Sequence, residues 1–319
     1  MKKIGYFPPP SEKNSYTIRM SDLLGRFGDV TPISPKKWKN PFFAIKKYDI
    51  IVFNWLENRC FGKNGKFKFS SFIIAMLWFS IMKHSAKKII YVRHNIYPHN
   101  ILDKNKKLSV KIMNYFERKS SYTVVHSKSA CTGGRVYIPH PLYELNSFSP
   151  VSVIANEKYF VCFGRIEKYK KLDELIKNWP FDHKLIIAGS SDDKDYCLHL
   201  KKLATGKKIE IVDKFISDEE AYNLVSRAEY SILPSDSKSM IVSGSFFFSI
   251  SAGTPVIAVK SDFYNSLSVY NGELILVNSI GDIGAALQDL LNKQKIMSSE
   301  FTNQFSDDAI INSLRVIIK

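Results

Sequence analysis

Residues 159–176 read YFVCFGRIEKYKKLDELI, and the order of chemistry along them decides the fold. Tyr159 to Phe163 form a short apolar run suited to a strand buried on both faces. Gly164 then allows a tight exit, and Leu172, Leu175 and Ile176 recur at helical spacing. A strand that empties through a cationic loop into a helix puts Arg165 and Lys170 at the strand's carboxyl end. In open α/β sheets ligands collect at that edge, where helix amino termini and basic side chains share the charge of a phosphate. A strand–loop–helix carrying solvated cations is the alternative reading of these residues.

A second stretch complements the first. Tyr230 to Leu233 is another short strand, and it leads to SMIVSGSFFFSISAGTPVIAV at 239–259. Ser243, Gly244 and Ser245 precede the apolar Phe246, Phe247, Phe248 and Ile250, so small residues fall where a helix begins and its free amides point outward. Ala252 to Pro255 end that helix and launch a strand from Val256 to Val259. Outward from here, Lys184 to Ala188 ends in Gly189 and Ser190, and Ile209 to Val212 ends in Asp213, each strand followed by a helical pattern. Such alternation predicts a parallel sheet wound on both faces. Glu273 to Val277 and a helix over 280–292 complete it, and a helix over 308–318 is expected to return to the first domain.

The amino-terminal half repeats the alternation: a strand over 3–7, a helix over 15–27, strands over 48–53 and 88–92, a basic helix over 108–119 and a strand over 122–125. At the carboxyl end of the second strand NWLE presents Glu57, either a cleft carboxylate or a surface residue. After the third strand, RHNIYPHN clusters Arg93, His94, Asn95 and His99. Residues 69–82, FSSFIIAMLWFSIM, are almost wholly apolar but too few for the roughly 20 residues a membrane span needs. A buried helix is the expectation, with an interfacial helix flanked by lysines as the alternative.

On these motifs the chain resembles the bacterial nucleotide-sugar glycosyltransferases of the two-domain GT-B type, nearest family four and its capsule and exopolysaccharide relatives. FGRIEKYKKLDELI matches their glycine–arginine–x5–lysine pattern, and SAGTPVIA matches the element that closes the donor pocket. The resemblance implies two Rossmann-like parallel-sheet domains facing each other across a cleft. These would be an acceptor domain over 1–148, a nucleotide-sugar domain over 149–304, and a terminal helix over 305–319, with a hinge near 143–156. It implies that Arg165 and Lys170 grip the donor diphosphate with Gly164, Gly189 and Ser243, Gly244 and Ser245, and that Phe215 and Ile216 wrap the nucleobase. His94 would reach the donor sugar. Asn14, Tyr16 and Arg19, in NSYTIRM, would border the acceptor, while His126 and His140 would be structural. Retaining members carry two glutamates eight residues apart, and Met240 and Phe248 stand in their places. That departure points to an inverting relative resembling the β-mannosyltransferases of xanthan-type assembly. No cofactor and no metal are expected. The acceptor would be a polyprenyl-diphosphate-linked saccharide, with Glu57 or His94 removing the proton. A sugar-nucleotide epimerase of the same fold and a non-catalytic membrane partner of another transferase are the rival readings.

Charge narrows the setting. Residues 1–150 hold 26 Lys and Arg against 8 Asp and Glu, whereas 151–319 hold 20 against 22, a split of +18 and −2. An excess confined to one half implies a surface facing something anionic. Interleaved Trp38, Phe42, Phe43, Phe61, Phe67 and Phe69 favour anionic lipid over nucleic acid. The expected location is the cytoplasm, peripheral on the inner face of the membrane. Cys60, Cys131, Cys162 and Cys197 lack metal-ligand spacing and read as reduced thiols.

Overall fold

The computed structural model describes the chain apart from residues 35–46, 63, 99–100, 146–147, 149–156, 181, 236–239, 268–271 and 291–296. Trp38, Phe42, Phe43, His99 and most of the expected hinge therefore lie outside the described residues. The chain divides into two compact units. The first comprises 1–141, 239–242 and 305–319, the second 142–238 and 243–304.

In the first unit six strands, β1 (Lys2–Phe7), β2 (Gly28–Pro32), β3 (Tyr48–Asn54), β4 (Ala86–Val92), β5 (Tyr122–Val125) and β6 (Val136–Tyr137), pair in parallel in the order β2-β1-β3-β4-β5-β6. Between them run helices α1 (Ser15–Gly25), α2 (Phe69–His84) and α3 (Asp103–Lys119). Strand β2 was not expected, because GDVTP is a largely exposed edge with no apolar run. Its Gly28 lets it lie close to β1: a β-carbon there would stand 2.0 Å from the Lys2 carbonyl oxygen.

The core of this unit joins Ile51 and Phe53 of β3 and Tyr91 of β4 to Trp78, Phe79 and Met82 of α2 and Phe116 of α3. Phe79 sits at its centre, its ring 5.6 Å from that of Phe53 and 4.9 Å from that of Phe116. Helix α2 corrects the expectation of full burial. It seats Ala75, Trp78, Phe79 and Met82 but leaves Phe69, Ile73, Ile74 and Leu77 exposed, since a sheet covers only one side of a helix that is apolar all round. The helix Asp307–Ile318 closes the unit. Its start is held by Arg19, 2.5 Å from Asp307 Oδ1, and its end by Lys2 donating to the Ile318 carbonyl.

The second unit repeats the plan. Strands β7 (Tyr159–Phe163), β8 (Lys184–Ala188), β9 (Ile209–Val212), β10 (Ser231–Leu233), β11 (Val256–Val259) and β12 (Leu274–Val277) pair in parallel in the order β12-β11-β10-β7-β8-β9. Helices α4 (Leu172–Asn178), α5 (Lys194–Ala204), α6 (Asp218–Ser226) and α7 (Gly244–Ser251) link them. Local chemistry sets the starts: Ser217 and Glu220 form a reciprocal capping box on α6, and Ser243 Oγ accepts from the Phe246 amide on α7. The helix expected over 280–292 is a short 3₁₀ turn, Ile280–Asp282, running into a helix over Ile283–Leu290. Order β10-β7-β8-β9 sets the carboxyl ends of β7, β8 and β9 side by side, which positions the loops discussed below.

Phe79→Ala should destabilise the chain by about 3–5 kcal/mol, because it empties a fully buried aromatic site. Val316→Ala, at an exposed apolar position, should fall within about 0.5 kcal/mol of the parent. Urea unfolding of both variants measures the contrast, and equal midpoints would remove Phe79 from the core.

Candidate active site

The residues expected to form a phosphate cradle meet within the second unit. After β7 the chain turns at Gly164, whose φ of +110° disfavours any side chain. The Gly164 amide donates to the Ala188 carbonyl at 2.9 Å and the Ile166 amide to the Ser190 carbonyl at 3.0 Å. The adjacent loop passes so closely that a β-carbon on Gly189 would stand 2.4 Å from the Gly164 carbonyl oxygen. Ser191 ties in the third loop, its amide donating to Asp213 Oδ1 at 2.9 Å and its hydroxyl to the Ile166 carbonyl at 3.0 Å. Three strand ends are thus knit into one rigid floor.

Two polar groups converge above it. A β-carbon on Gly164 would lie 2.7 Å from Ser245 Oγ and 3.0 Å from Lys170 Nζ, so the bare Cα leaves these atoms a shared space. Lys170 is half-buried, and burial lowers its pKa from the ordinary lysine value. No carboxylate among the described residues lies within ion-pair distance of it. Ser245 belongs to the first turn of α7, whose amino end carries unpaired amide donors and positive dipole charge. Arg165 is placed differently: its guanidinium reaches Glu167 Oε1 at 2.7 Å and Asp192 Oδ2 at 2.6 Å on the surface. Phe215 is exposed, and Ile216 packs beside the core of Tyr159, Val161 and Val225. Phe248 is buried, its ring 4.8 Å from that of Phe163 and 5.6 Å from that of Tyr143.

In the first unit a second polar cluster forms where β3, β4 and β5 end. Asn54 closes β3 and is fully buried, and Trp55 after it takes a left-handed φ of 51°. That turn stacks the indole on His94 at 4.1 Å and 19°. Asn54 Nδ2 donates to the Phe7 carbonyl at 3.0 Å, so its Oδ1 is the atom 3.0 Å from His94 Nε2. His94 therefore carries its proton on Nε2 and its lone pair on Nδ1. His126 takes the opposite tautomer: Nδ1 donates to the Ile138 carbonyl, and Nε2 accepts from the Tyr16 hydroxyl, both at 2.8 Å. The ring of Tyr16 packs 4.9–5.4 Å from those of His94, His126 and His140, and the ring of His126 lies 5.3–5.4 Å from the other two imidazoles. Burial holds all three imidazoles neutral, His126 at about 4 and the other two well below the usual value, with neighbouring imidazoles adding to the effect.

The other candidates in this unit are placed as follows. Glu57 is neither at the surface nor on an open cleft wall. Its carboxyl is buried beside the core and accepts from the Tyr91 hydroxyl at 2.8 Å, and burial raises its pKa. Arg93 is spent on structure, donating to Glu117 Oε2 at 2.6 Å, Asn114 Oδ1 at 2.8 Å and two carbonyls of its own loop. Of the acceptor candidates, Tyr16 is turned into the histidine cluster and Arg19 onto Asp307, while Asn14 is half-buried at the start of α1. Met240 is buried and bridges Asn95. Asn54 was not singled out from the sequence, although a polar residue ending an apolar strand is the signal that marks it.

The histidine cluster gives a pH dependence whose sign is fixed. Unfolded imidazoles bind protons near 6.5, whereas these bind only far lower, so their contribution to stability is complete above that pH and is lost as pH falls. Urea midpoints should therefore decline from about pH 6.5 towards pH 4. His126→Gln should shallow that decline, and an unchanged slope would place the acid sensitivity elsewhere.

Comparison with known proteins follows the same division. The family model for glycosyl transferases group 1 matches residues 147–309, just over half of the chain. Among solved structures, HepE of Anabaena in complex with UDP and glucose superposes with a TM-score of 0.73 at 14% identity, covering 100% of this chain and 99% of HepE. Sucrose-phosphate synthase from Thermosynechococcus elongatus gives 0.72 at 13%, covering 99% and 98%. A glycosyltransferase from Rickettsia africae gives 0.61 at 14%, covering 99% and 97%. No curated protein sequence matches. At such identities the structural likeness speaks for the fold, which is GT-B.

Proposed function

Because the chain belongs to the group 1 glycosyl transferases, nucleotide-sugar enzymes of family four, we propose that it moves a hexose from a UDP- or GDP-linked donor to a lipid-linked saccharide during synthesis of a bacterial surface polysaccharide. The observation that carries this reading is the convergence of Lys170 Nζ and Ser245 Oγ on the side-chain-free Gly164, beside the amino end of α7. A diphosphate placed there would meet one ammonium, one hydroxyl and the free amides of a helix start, all pre-oriented for charge that grows as the leaving group departs. Arg165 would join by exchanging a carboxylate partner for phosphate, an exchange its exposed position permits. Phosphate charge met by these groups leaves no role for a divalent ion in the proposed reaction.

The acceptor hydroxyl attacks the anomeric carbon as the bond from that carbon to the diphosphate breaks, and the nucleoside diphosphate departs. His94 is proposed to take the hydroxyl proton on Nδ1. Its fixed tautomer leaves a lone pair on Nδ1, whereas the buried, hydrogen-bonded Glu57 is already engaged with Tyr91. Phe248 and Met240, buried apolar residues, offer no carboxylate for retention, so the proposed outcome is inversion.

UDP and GDP, added without metal and in the presence of EDTA, should raise the melting temperature, the better-fitting base by more. HepE was crystallised with UDP and with UDP-glucose, so these are the first ligands to try. Lys170→Ala should weaken nucleotide binding by about 1.5–3 kcal/mol, roughly 10- to 150-fold. Wild-type affinity in that variant would show the cradle to be misassigned. His94→Ala should lower kcat with a polyprenyl-diphosphate-linked acceptor far more than it changes nucleotide affinity, and unchanged turnover would return His94 to a structural role. The anomeric configuration of the product, read by NMR, decides between inversion and retention.

A further inference from the structure

The outer face of α2 is a surface that the transferase chemistry does not use. Phe69, Ile73, Ile74 and Leu77 follow one another at i, i+4, i+5 and i+8, on one side of the helix, and Phe69, Ile74 and Leu77 are 68%, 60% and 59% exposed. The opposite side is anchored in the core by Trp78, Phe79 and Met82, so the exposed residues stand on a fixed support. Contiguous exposed apolar side chains of this size mark a contact surface. Exposed Lys66 and Lys68 precede the face and exposed Lys83 and His84 follow it. No carboxylate occurs in the sequence between Glu57 and Asp103.

We propose that α2 is a membrane-seating helix, lying parallel to an anionic bilayer with Phe69, Ile73, Ile74 and Leu77 among the upper acyl chains and its flanking lysines among the headgroup phosphates. Charge decides the occupant. A second copy would bring its own lysines against these, and the amino-terminal half carries +18 overall, so self-association through this face is opposed whereas an anionic surface is attracted. Length decides the mode. At 16 residues α2 extends about 24 Å, and no described helix is long and apolar enough to cross a membrane, so the helix seats in one leaflet. The inference deepens the lipid-linked acceptor reading, since it brings the enzyme to the phase in which such an acceptor resides.

Attraction between charges alone predicts release at high salt, because the Debye length shrinks from about 10 Å at 0.1 M to about 3 Å at 1 M. Seated apolar side chains predict a salt-resistant remainder. The full chain is sedimented with vesicles of phosphatidylcholine alone or mixed with phosphatidylglycerol, over that salt range and without donor or acceptor. Wild type should bind the mixed vesicles, part of it surviving high salt, and bind phosphatidylcholine weakly. Ile74→Glu with Leu77→Glu should cut the partition coefficient roughly tenfold or more and abolish the salt-resistant part. Both positions are exposed, so the fold should persist, and an unchanged nucleotide-induced thermal shift checks it. Val316→Glu, at a 71% exposed apolar site on the terminal helix, should leave partition unchanged. Equal partition of the double variant and wild type would overturn the proposal, as would absence of vesicle binding at low salt. Concentration-dependent self-association that the double variant abolishes would overturn it in favour of a protein contact. A nucleotide shift without vesicle binding defeats the membrane inference alone, and vesicle binding without any nucleotide shift defeats the transferase reading alone.

Discussion

Backbone approach at Gly189 is the constraint on which the second unit rests. Its missing β-carbon would fall 2.4 Å from the Gly164 carbonyl, well inside contact distance, so the loops after β7 and β8 close only if that position is bare. Once they close, Ile166 can donate to Ser190, and Ser191 can reach both Ile166 and Asp213. Gly164 is then fixed with its own side-chain direction vacant, and that vacancy is the space into which Lys170 and Ser245 point. Two glycines thus do different things: one permits the loops to meet, and the other leaves room for Lys170 and Ser245 to converge. Lys170, half-withdrawn from water, has a lowered affinity for its proton, whereas the guanidinium of Arg165 beside it is held by surface carboxylates.

The first unit depends on a comparable economy of hydrogen bonds. Asn54 has two polar ends, and the carbonyl of Phe7 claims its amide nitrogen. That leaves its oxygen to set the proton of His94, while the backbone of Ile138 sets the proton of His126 in the reverse sense. Three neutral imidazoles side by side would be unfavourable as cations, and burial removes that cost by keeping them uncharged. The left-handed turn at Trp55 is the local strain that accompanies this arrangement, and the stacked indole is what it achieves.

Much of this was legible in the residues. The alternation of short apolar runs with helical spacing specified both parallel sheets, and the small residues at 243–245 announced the start of α7. Gly164, Arg165, Lys170 and Ser245 were named from strand-end position, side-chain size and the family resemblance, and of these the structure brings Lys170 and Ser245 against Gly164. What the residues did not disclose was partnership at a distance. Nothing near Arg19 says that Asp307 will meet it across 288 positions, nor that Glu57 will be drawn under Tyr91. Tyr16 shares the buried-face spacing of Met20, Leu23 and Leu24, but nothing near it says that its hydroxyl will meet a histidine 110 positions away. Strand β2 was missed because its two polar residues and edge position lack the periodicity that betrays an inner strand.

Helix α2 exposes the limit of composition in a sharper form. Its apolar side chains are spread over every side of the helix, a pattern that points to full burial, yet only one side finds protein. Apolar side chains at an exposed helical surface raise the free energy of the isolated protein in water, roughly in proportion to the area left uncovered. Substituting Ser or Lys at Ile74 or Leu77 would relieve that cost without touching the core formed by Trp78 and Phe79. The apolar residues there, within a stretch devoid of carboxylates between Glu57 and Asp103, are therefore chemistry suited to a second solvent. A bilayer supplies both halves of what the face lacks, hydrocarbon for Phe69, Ile73, Ile74 and Leu77 and phosphate for Lys66, Lys68 and Lys83. Residues 151–319, at −2, meet neither demand, so the charge that suits an anionic surface is confined to the half of the sequence that carries α2.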